Sequence, residues 1–159
     1  MWAFSQKARY LSMNESERIE LIAPCAIWCG GCSLFLVKEK PELKAMLLQH
    51  GVKEEDIPCP GCRAVDGMCK HLDGQCEQFL CAKEKGIKYC HECDVFPCNR
   101  LHPAADRSTS LPHNLKMFAQ CYIARFGAEA YLAKLPEMRR RYFTGKISYG
   151  KGPLLPEEE

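Results

Sequence analysis

Between Cys25 and Cys98 the chain carries eleven of its twelve cysteines, and any fold it adopts must find a use for those thiols. They fall into groups: Cys25-x3-Cys29-x2-Cys32, Cys59-x2-Cys62, the dispersed Cys69, Cys76 and Cys81, and Cys90-x2-Cys93-x4-Cys98. Three groups contain a C-x2-C pair. Two intervening residues let a tight turn aim both sulfurs and several backbone N–H groups at one point, as a thiolate-bound metal or cluster requires. One such pair is a weak signal; three of them, with five further cysteines interleaved, make a strong one.

The rest of the sequence limits how the thiols are used. At 159 residues the chain suffices for one ordinary domain, which buries roughly 70% of its unfolded surface, so the cysteines need not staple a mini-protein together. The opening MWAFSQKARYLSMNESERIE has no apolar signal core and no small-residue cleavage site, and the longest apolar-rich run, Leu21 to Trp28, is too short to span a bilayer. The expectation is a soluble, cytoplasmic protein with no membrane partner. Thiols in that compartment are kept reduced, which favours metal ligation over the disulfide framework that an even cysteine count also allows. The net charge of +2 is too small to announce a nucleic-acid protein.

Asn14-Glu15-Ser16-Glu17 has the form of a capping box and predicts a short helix that Pro24 ends. In PCAIWCGGC, Gly30 and Gly31 predict positive φ and close backbone approach in a cluster-wrapping loop. Ser33 is expected to cap a helix through LFLVKEK, and Pro41 to open a continuation, PELKAMLLQH, that stops at Gly51 and turns Leu43, Met46 and Leu47 to the core. From Val52 to Asp73 the prolines and glycines leave no periodicity, so the stretch reads as a loop held by its sulfurs. CEQFLCAKEKG predicts a helix from about Glu77 to Lys85 that carries Cys81, with Gly86 as its left-handed stop. Asp94 is a candidate N-cap for a short turn carrying Cys98 and halting at Pro103. Further on, Leu115, Phe118, Ala119, Tyr122 and Phe126 form an apolar stripe ended by Gly127, and Ala130-Tyr131-Leu132 predicts a second helix before Pro136. Cys121 lies off that stripe and reads as a free thiol. No β-rich stretch competes.

Thiolate-rich sites with few carboxylates select soft or borderline metals, which leaves zinc and iron–sulfur clusters. Cys59-Pro60-Gly61-Cys62 has the form of a zinc-ribbon knuckle, whereas Cys25, Cys29 and Cys32 crowd three thiolates together, as around a [4Fe–4S] cube. His71 and His91 are the nearest imidazoles, each better read as a surface histidine beside a knuckle. The C-x3-C-x2-C spacing also occurs in radical S-adenosylmethionine enzymes. Gly31, however, stands where that family favours an aromatic residue, and no alternating strands and helices supply its barrel. No P-loop, G-x-G-x-x-G, H-E-x-x-H or G-x-S-x-G occurs, and no βαβ pattern surrounds a C-x2-C pair as in a thioredoxin-like enzyme. Between Glu137 and Lys151, Arg139, Arg140, Arg141, Lys146 and Lys151 face the single acid Glu137, and Glu157 to Glu159 offset them. A solvated helix face is therefore favoured over a phosphate grip, and nucleic acid is not an expected partner.

Three stretches, PCAIWCGGC, IPCPGCR and CAKEKGIKYCHECDVFPCNRL, resemble the cysteine-rich domain-of-unknown-function family 3795, short proteins of anaerobic bacteria and archaea. The resemblance runs from about Ala23 to Leu101, and KG-x3-C-x2-C-x2-FPC is its most specific part. It marks Cys25, Cys29, Cys32, Cys59, Cys62, Cys76, Cys81, Cys90, Cys93 and Cys98 as family positions. Cys69 fits less well: the family often has a cysteine three residues before the position of Cys76, where this chain has Asp73, and Cys69 is expected to substitute from further away. No activity comes with the resemblance. Its anaerobic distribution implies a tilt of the metal towards iron–sulfur.

The expectation is a small, mainly α, loop-rich protein whose cysteine-rich, metal-bound half, residues 1–103, packs on a C-terminal helical segment, 104–159, as one compact domain. Cys25, Cys29, Cys32, Cys59, Cys62, Cys69, Cys76, Cys81, Cys90, Cys93 and Cys98 are the expected ligands of an iron–sulfur cluster ([4Fe–4S]), with zinc as the alternative. The matching functions are electron transfer or service as an accessory to a redox enzyme, with a protein partner, against a zinc-stabilised interaction module for protein or nucleic acid. With no catalytic constellation in view, an enzyme is not favoured.

Overall fold

A computed structural model describes residues 13–70, 74–101, 113–148 and 152–158, and the chain divides into two compact units, Met1–Asp94 and Val95–Glu159. Helices are the main regular structure. Among the described residues, no helix is long and apolar enough to cross a membrane. In the first unit, helix α1, Glu15–Glu20, starts at Asn14, whose side chain accepts from the Glu17 N–H at 2.9 Å while Glu17 Oε2 accepts from the Asn14 N–H at 2.8 Å. Both bonds of the predicted capping box are thus present. Helix α2 is one turn, Ser33–Leu36, capped by Cys32 and not by Ser33. Helix α3, Glu42–Gln49, follows Pro41 and ends before Gly51, which is left-handed at φ +83°. Helix α4, Glu77–Glu84, starts at Cys76 and stops on Gly86 at φ +65°, as predicted. Leu34, Val37 and Leu47 form a buried cluster on which Leu43, Val52, Ile57 and the thiols of Cys32 and Cys59 pack. Met46, expected inside, is 39% exposed. Leu43 and Leu47, four residues apart, already lie one above the other on this two-turn helix and leave Met46 at the edge.

In the second unit, α5, His113–Thr144, is two helical arms broken at Gly127, whose φ of +85° and ψ of 167° lie outside the helical region. Leu115, Ala119 and Ile123 on the first arm and Tyr131, Leu132, Leu135 and Met138 on the second are buried, as are Leu101 and Leu155. This corrects the expected stripe: Phe118 and Phe126 are 42% and 54% exposed. Phe118 stacks on Tyr122 at 6.0 Å and Tyr122 meets Phe126 at 4.7 Å, so the aromatic rings cover one another along the surface while the smaller side chains turn inward. Pro136 does not end the second arm either; the helix runs on to Thr144. An interior proline costs about 3 kcal/mol, but burying Leu132, Leu135 and Met138 around it contributes roughly 1.5–3 kcal/mol each. A short hairpin that the sequence did not predict follows, with β1, Lys146–Ser148, antiparallel to β2, Gly152–Leu154, and Lys146 opposite Leu154. Strands of three residues are too short to display a period-two pattern. Arg141 ties down the hairpin end, donating to Pro153 O at 3.0 Å and to the two Glu158 carboxylate oxygens at 2.6 and 2.5 Å, and Arg140 pairs with Glu157.

Candidate metal centre

The first cysteine loop is a tight hairpin. Ile22 and Trp28 form an isolated antiparallel bridge, the Ala23 N–H bonds Ile27 O at 2.9 Å, and the Cys29 N–H bonds Leu21 O at 2.8 Å. These bonds put Cys25 in the turn and Cys29 at its exit. Ala26, fully buried, sits at φ +66°, where an L residue costs about 1–2 kcal/mol. Gly30 corrects an expectation, since neither it nor Gly31 is left-handed; both belong to the 3-10 turn Cys29–Gly31 and its ordinary backbone. Glycine is needed at 30 for another reason: a Cβ there would lie 2.4 Å from Trp28 Cζ2, so the buried indole rests on the bare backbone.

That turn recurs. Cys90–Glu92 is also a 3-10 turn, with the Cys93 N–H bonded to Cys90 O at 3.1 Å as the Cys32 N–H is to Cys29 O at 3.0 Å. Cys93 leaves its turn at φ −77°, ψ 137° and Cys32 at φ −78°, ψ 140°. Each turn follows a buried aromatic residue, Tyr89 or Trp28. The third pair, Cys59 and Cys62, is built differently: Gly61 is at φ +112° and its N–H points at the Cys59 sulfur, an N–H···S arrangement suited to a thiolate ligand.

These loops bring six of the predicted ligands into one neighbourhood. The Cys62 N–H donates to Cys29 Sγ at 3.3 Å. The Cys62 thiol also hydrogen-bonds Cys29 and accepts from Cys69, with Cys25 close by, and Cys59 lies beside Cys32 and Cys69. Cys69, the poorest fit to the family pattern, therefore hydrogen-bonds one thiol of C-P-G-C, Cys62, and lies near the other, Cys59. Gly67, at φ +78°, organises this end: its N–H bonds Cys62 O at 2.9 Å, and its carbonyl accepts from the N–H of Cys69 at 2.8 Å and of Cys76 at 2.9 Å. Crowding has an electrostatic consequence. The bond to Cys29, with burial behind it, pushes the Cys62 thiol far up against the opposing bond from Cys69. Burial pushes Cys59 up, opposed by the Gly61 N–H and the Lys38 ammonium. Adjacent thiols of this kind ionise together when a metal cation replaces their protons.

Cys90 is tied to the first loop through its N–H, which donates to Pro24 O at 2.9 Å. The Cys93 sulfur lies 3.4 Å from Asp94 Oδ1, which also takes the Lys85 ammonium at 3.2 Å. Asp94 therefore does not cap the following turn; Lys85, and after it Cys93, occupies its carboxylate and holds it below the usual range. Cys76 caps α4 and Cys81 lies half-buried on it. Cys98 belongs to the second unit, where its carbonyl accepts from the Leu101 N–H at 3.0 Å. Cys121 is exposed on α5, and none of the twelve cysteines is in a disulfide. His91 stacks on Tyr89 with ring centroids 5.7 Å apart, and His71 lies outside the described residues. Among the described residues, no three His, Cys, Asp or Glu side chains converge on one point as ligands of a single ion do. The six sulfurs form a string of neighbours whose donor chemistry fits a thiophilic metal.

Two residues outside the cysteine set escaped the sequence reading. Arg63, directly after Cys62, donates from Nε to Ile22 O at 2.8 Å and from Nη2 to Lys88 O at 2.7 Å; its only sequence signal is its place in IPCPGCR. Gly67 offered the signal of a left-handed turn, without the partners that make it matter.

A family model described as "Protein of unknown function (DUF3795)" matches residues 21–103, a span that contains all eleven predicted ligands. No curated protein and no solved structure matches the chain.

Proposed function

The chain belongs to the DUF3795 family of proteins of unknown function, and from its thiol geometry we propose that the first unit carries a thiolate-bound iron–sulfur centre. The protein works in the cytosol, in electron transfer or as an accessory to a redox enzyme, with a protein as its partner. The observation that carries this reading is the sulfur string Cys29, Cys62, Cys69, Cys59, Cys32, with Cys25 alongside. Its members come from three separate loops, each held by its own backbone bonds. Six thiols lie in one neighbourhood, more than the four that one tetrahedral ion takes, and Cys25, Cys29 and Cys32 supply three thiolates from a single loop, as a cluster-wrapping segment does. When bound, a cluster supplies one-electron transfer at a potential set by hydrogen bonds to its sulfurs and by exposure. The chain's own residues supply the rest: the six thiolates as ligands, the Gly61 and Cys62 N–H groups as donors to sulfur, the Leu34, Val37 and Leu47 cluster to exclude water, and Lys38 to offset negative charge at Cys59.

A zinc-stabilised interaction module is the second reading, favoured by the C-P-G-C knuckle with its N–H···S bond. The two readings part on anaerobically purified protein, with iron, sulfide and zinc counted in one sample and paramagnetic resonance recorded after dithionite. Brown protein with matching iron and sulfide and a reduced-state signal is expected. Stoichiometric zinc with a silent spectrum refutes the iron–sulfur reading. Near-zero recovery of thiols from unfolded, chelated, unreduced protein refutes metal binding altogether.

A further inference from the structure

Arg63 follows Cys62 directly, yet its guanidinium serves the other two cysteine loops. Nε donates to the carbonyl of Ile22 at 2.8 Å, just ahead of Cys25, and Nη2 donates to the carbonyl of Lys88 at 2.7 Å, just ahead of Cys90. The guanidinium carbon also lies 5.5 Å from the ring centroid of the buried Tyr89. The Cys90 N–H donates to Pro24 O at 2.9 Å, so the segments leading into Cys25 and Cys90 run side by side where Arg63 spans them. A guanidinium is well matched to this position, because its rigid fork reaches two carbonyls at once and its flat face lies against an aromatic ring, whereas an ammonium offers one compact charge.

Resting on the metal reading above, we propose that Arg63 is a positioning residue that holds the Cys90–Cys93 turn in register with the Cys25–Cys32 and Cys59–Cys62 loops, so that the three load metal as one unit and not as independent knuckles. The test is the alkylation rate of each cysteine, read by mass spectrometry on the full chain, as purified anaerobically and after chelation, for wild type, Arg63→Ala and Arg63→Lys. Metal content is measured on the same samples. In Arg63→Ala, Cys25, Cys62, Cys90 and Cys93 should react together, faster by about tenfold or more, as expected for the loss of two charge-assisted hydrogen bonds. Cys76 and Cys81 should keep their rates, Arg63→Lys should fall between, and bound metal should decline in the same order. A change confined to Cys62, or uniform acceleration that includes Cys76 and Cys81 in both variants, overturns the proposal. Wild-type protein that binds no metal refutes the metal reading and the loading claim with it, while the chelated samples by themselves decide whether Arg63 registers the loops.

Discussion

Alanine at position 67 adds one methyl group to a residue at φ +78°. In that region an L side chain costs about 1–2 kcal/mol. The new Cβ would also fall 2.7 Å from Phe79 Cγ and Cδ1 and 2.8 Å from Phe79 Cβ. Turning the ring does not relieve the contact with Cβ, which the backbone of α4 fixes, so loop or helix must shift at an overpacking cost of about 1–3 kcal/mol. The sum, about 2–5 kcal/mol, is a large part of the roughly 5–15 kcal/mol that holds a domain together. Gly51→Ala and Gly86→Ala are the controls: both glycines are left-handed, at φ +83° and +65°, with nothing within 4 Å of an added Cβ. They carry the backbone cost alone, and the unfolded-state gain from glycine to alanine, about 0.4–1 kcal/mol, is common to all three and cancels. In urea, the Gly67→Ala midpoint should fall below both controls by the equivalent of about 1–3 kcal/mol at unchanged slope. Equal midpoints would refute the packing argument. Because the Gly67 N–H and carbonyl tie Cys62, Cys69 and Cys76 together, the variant should also lose metal that the controls retain.

Leu34→Ala empties the centre of the cluster that carries Cys32 and Cys59, and should cost about 2–5 kcal/mol in urea unfolding, with faster alkylation of those two thiols. Glu158 is drawn down to about 2, first by the Arg141 guanidinium and then by the Leu155 N–H. Its folded value lies below its unfolded one, so this bond's contribution is intact above the ordinary carboxylate range and is lost as pH falls towards about 2. The protection of the Leu155 N–H relative to its intrinsic exchange rate should follow that loss, since it donates to Glu158 Oε2 at 2.9 Å, and should lose this pH dependence in Glu158→Gln; a Glu158 titration at the ordinary carboxylate value would contradict the pairing.

What the sequence revealed was what nearby residues decide among themselves. The capping box needs only Asn14 and Glu17, and the ends of α3 and α4 need only Gly51 and Gly86, so local pattern found all of them. The phase of α5 is a different problem. Apolar residues at 115, 118, 119, 122, 123 and 126 ring more than one face, and periodicity does not choose between a face that packs inward and one whose aromatic rings cover each other outside. The cysteines divide in the same way. C-x2-C spacing foretold tight turns, and two of the three share one backbone form. That Cys62 meets Cys29, 33 positions away, and that Arg63 reaches Ile22 and Lys88 are long-range outcomes that no spacing records.

The same contrast bears on why the thiols gather where they do. Between 52 and 70 only Gly61 and Gly67 are buried, and beyond Val52, Ile57 and Cys59, which pack on the Leu34 cluster, apolar burial does little to fix this stretch. Its conformation rests on discrete polar contacts: the Cys59 N–H on Leu34 O, the Arg63 fork and the three bonds of Gly67. It also turns through three positive-φ positions, the glycines Gly61 at φ +112° and Gly67 at φ +78°, which take it without strain, and Asp66 at φ +50°, which does not. Cys62 and Cys69 lie along its weakly anchored part, while Cys29 is itself buried and Cys32 and Cys59 are packed on the Leu34 cluster. In the proposed metal-bound protein the ligand bonds of Cys62 and Cys69 therefore tie a stretch with little apolar anchorage to one that has it. Binding free energy enters folding free energy directly at such a junction, because without those bonds the loop keeps the entropy that apolar contacts elsewhere remove.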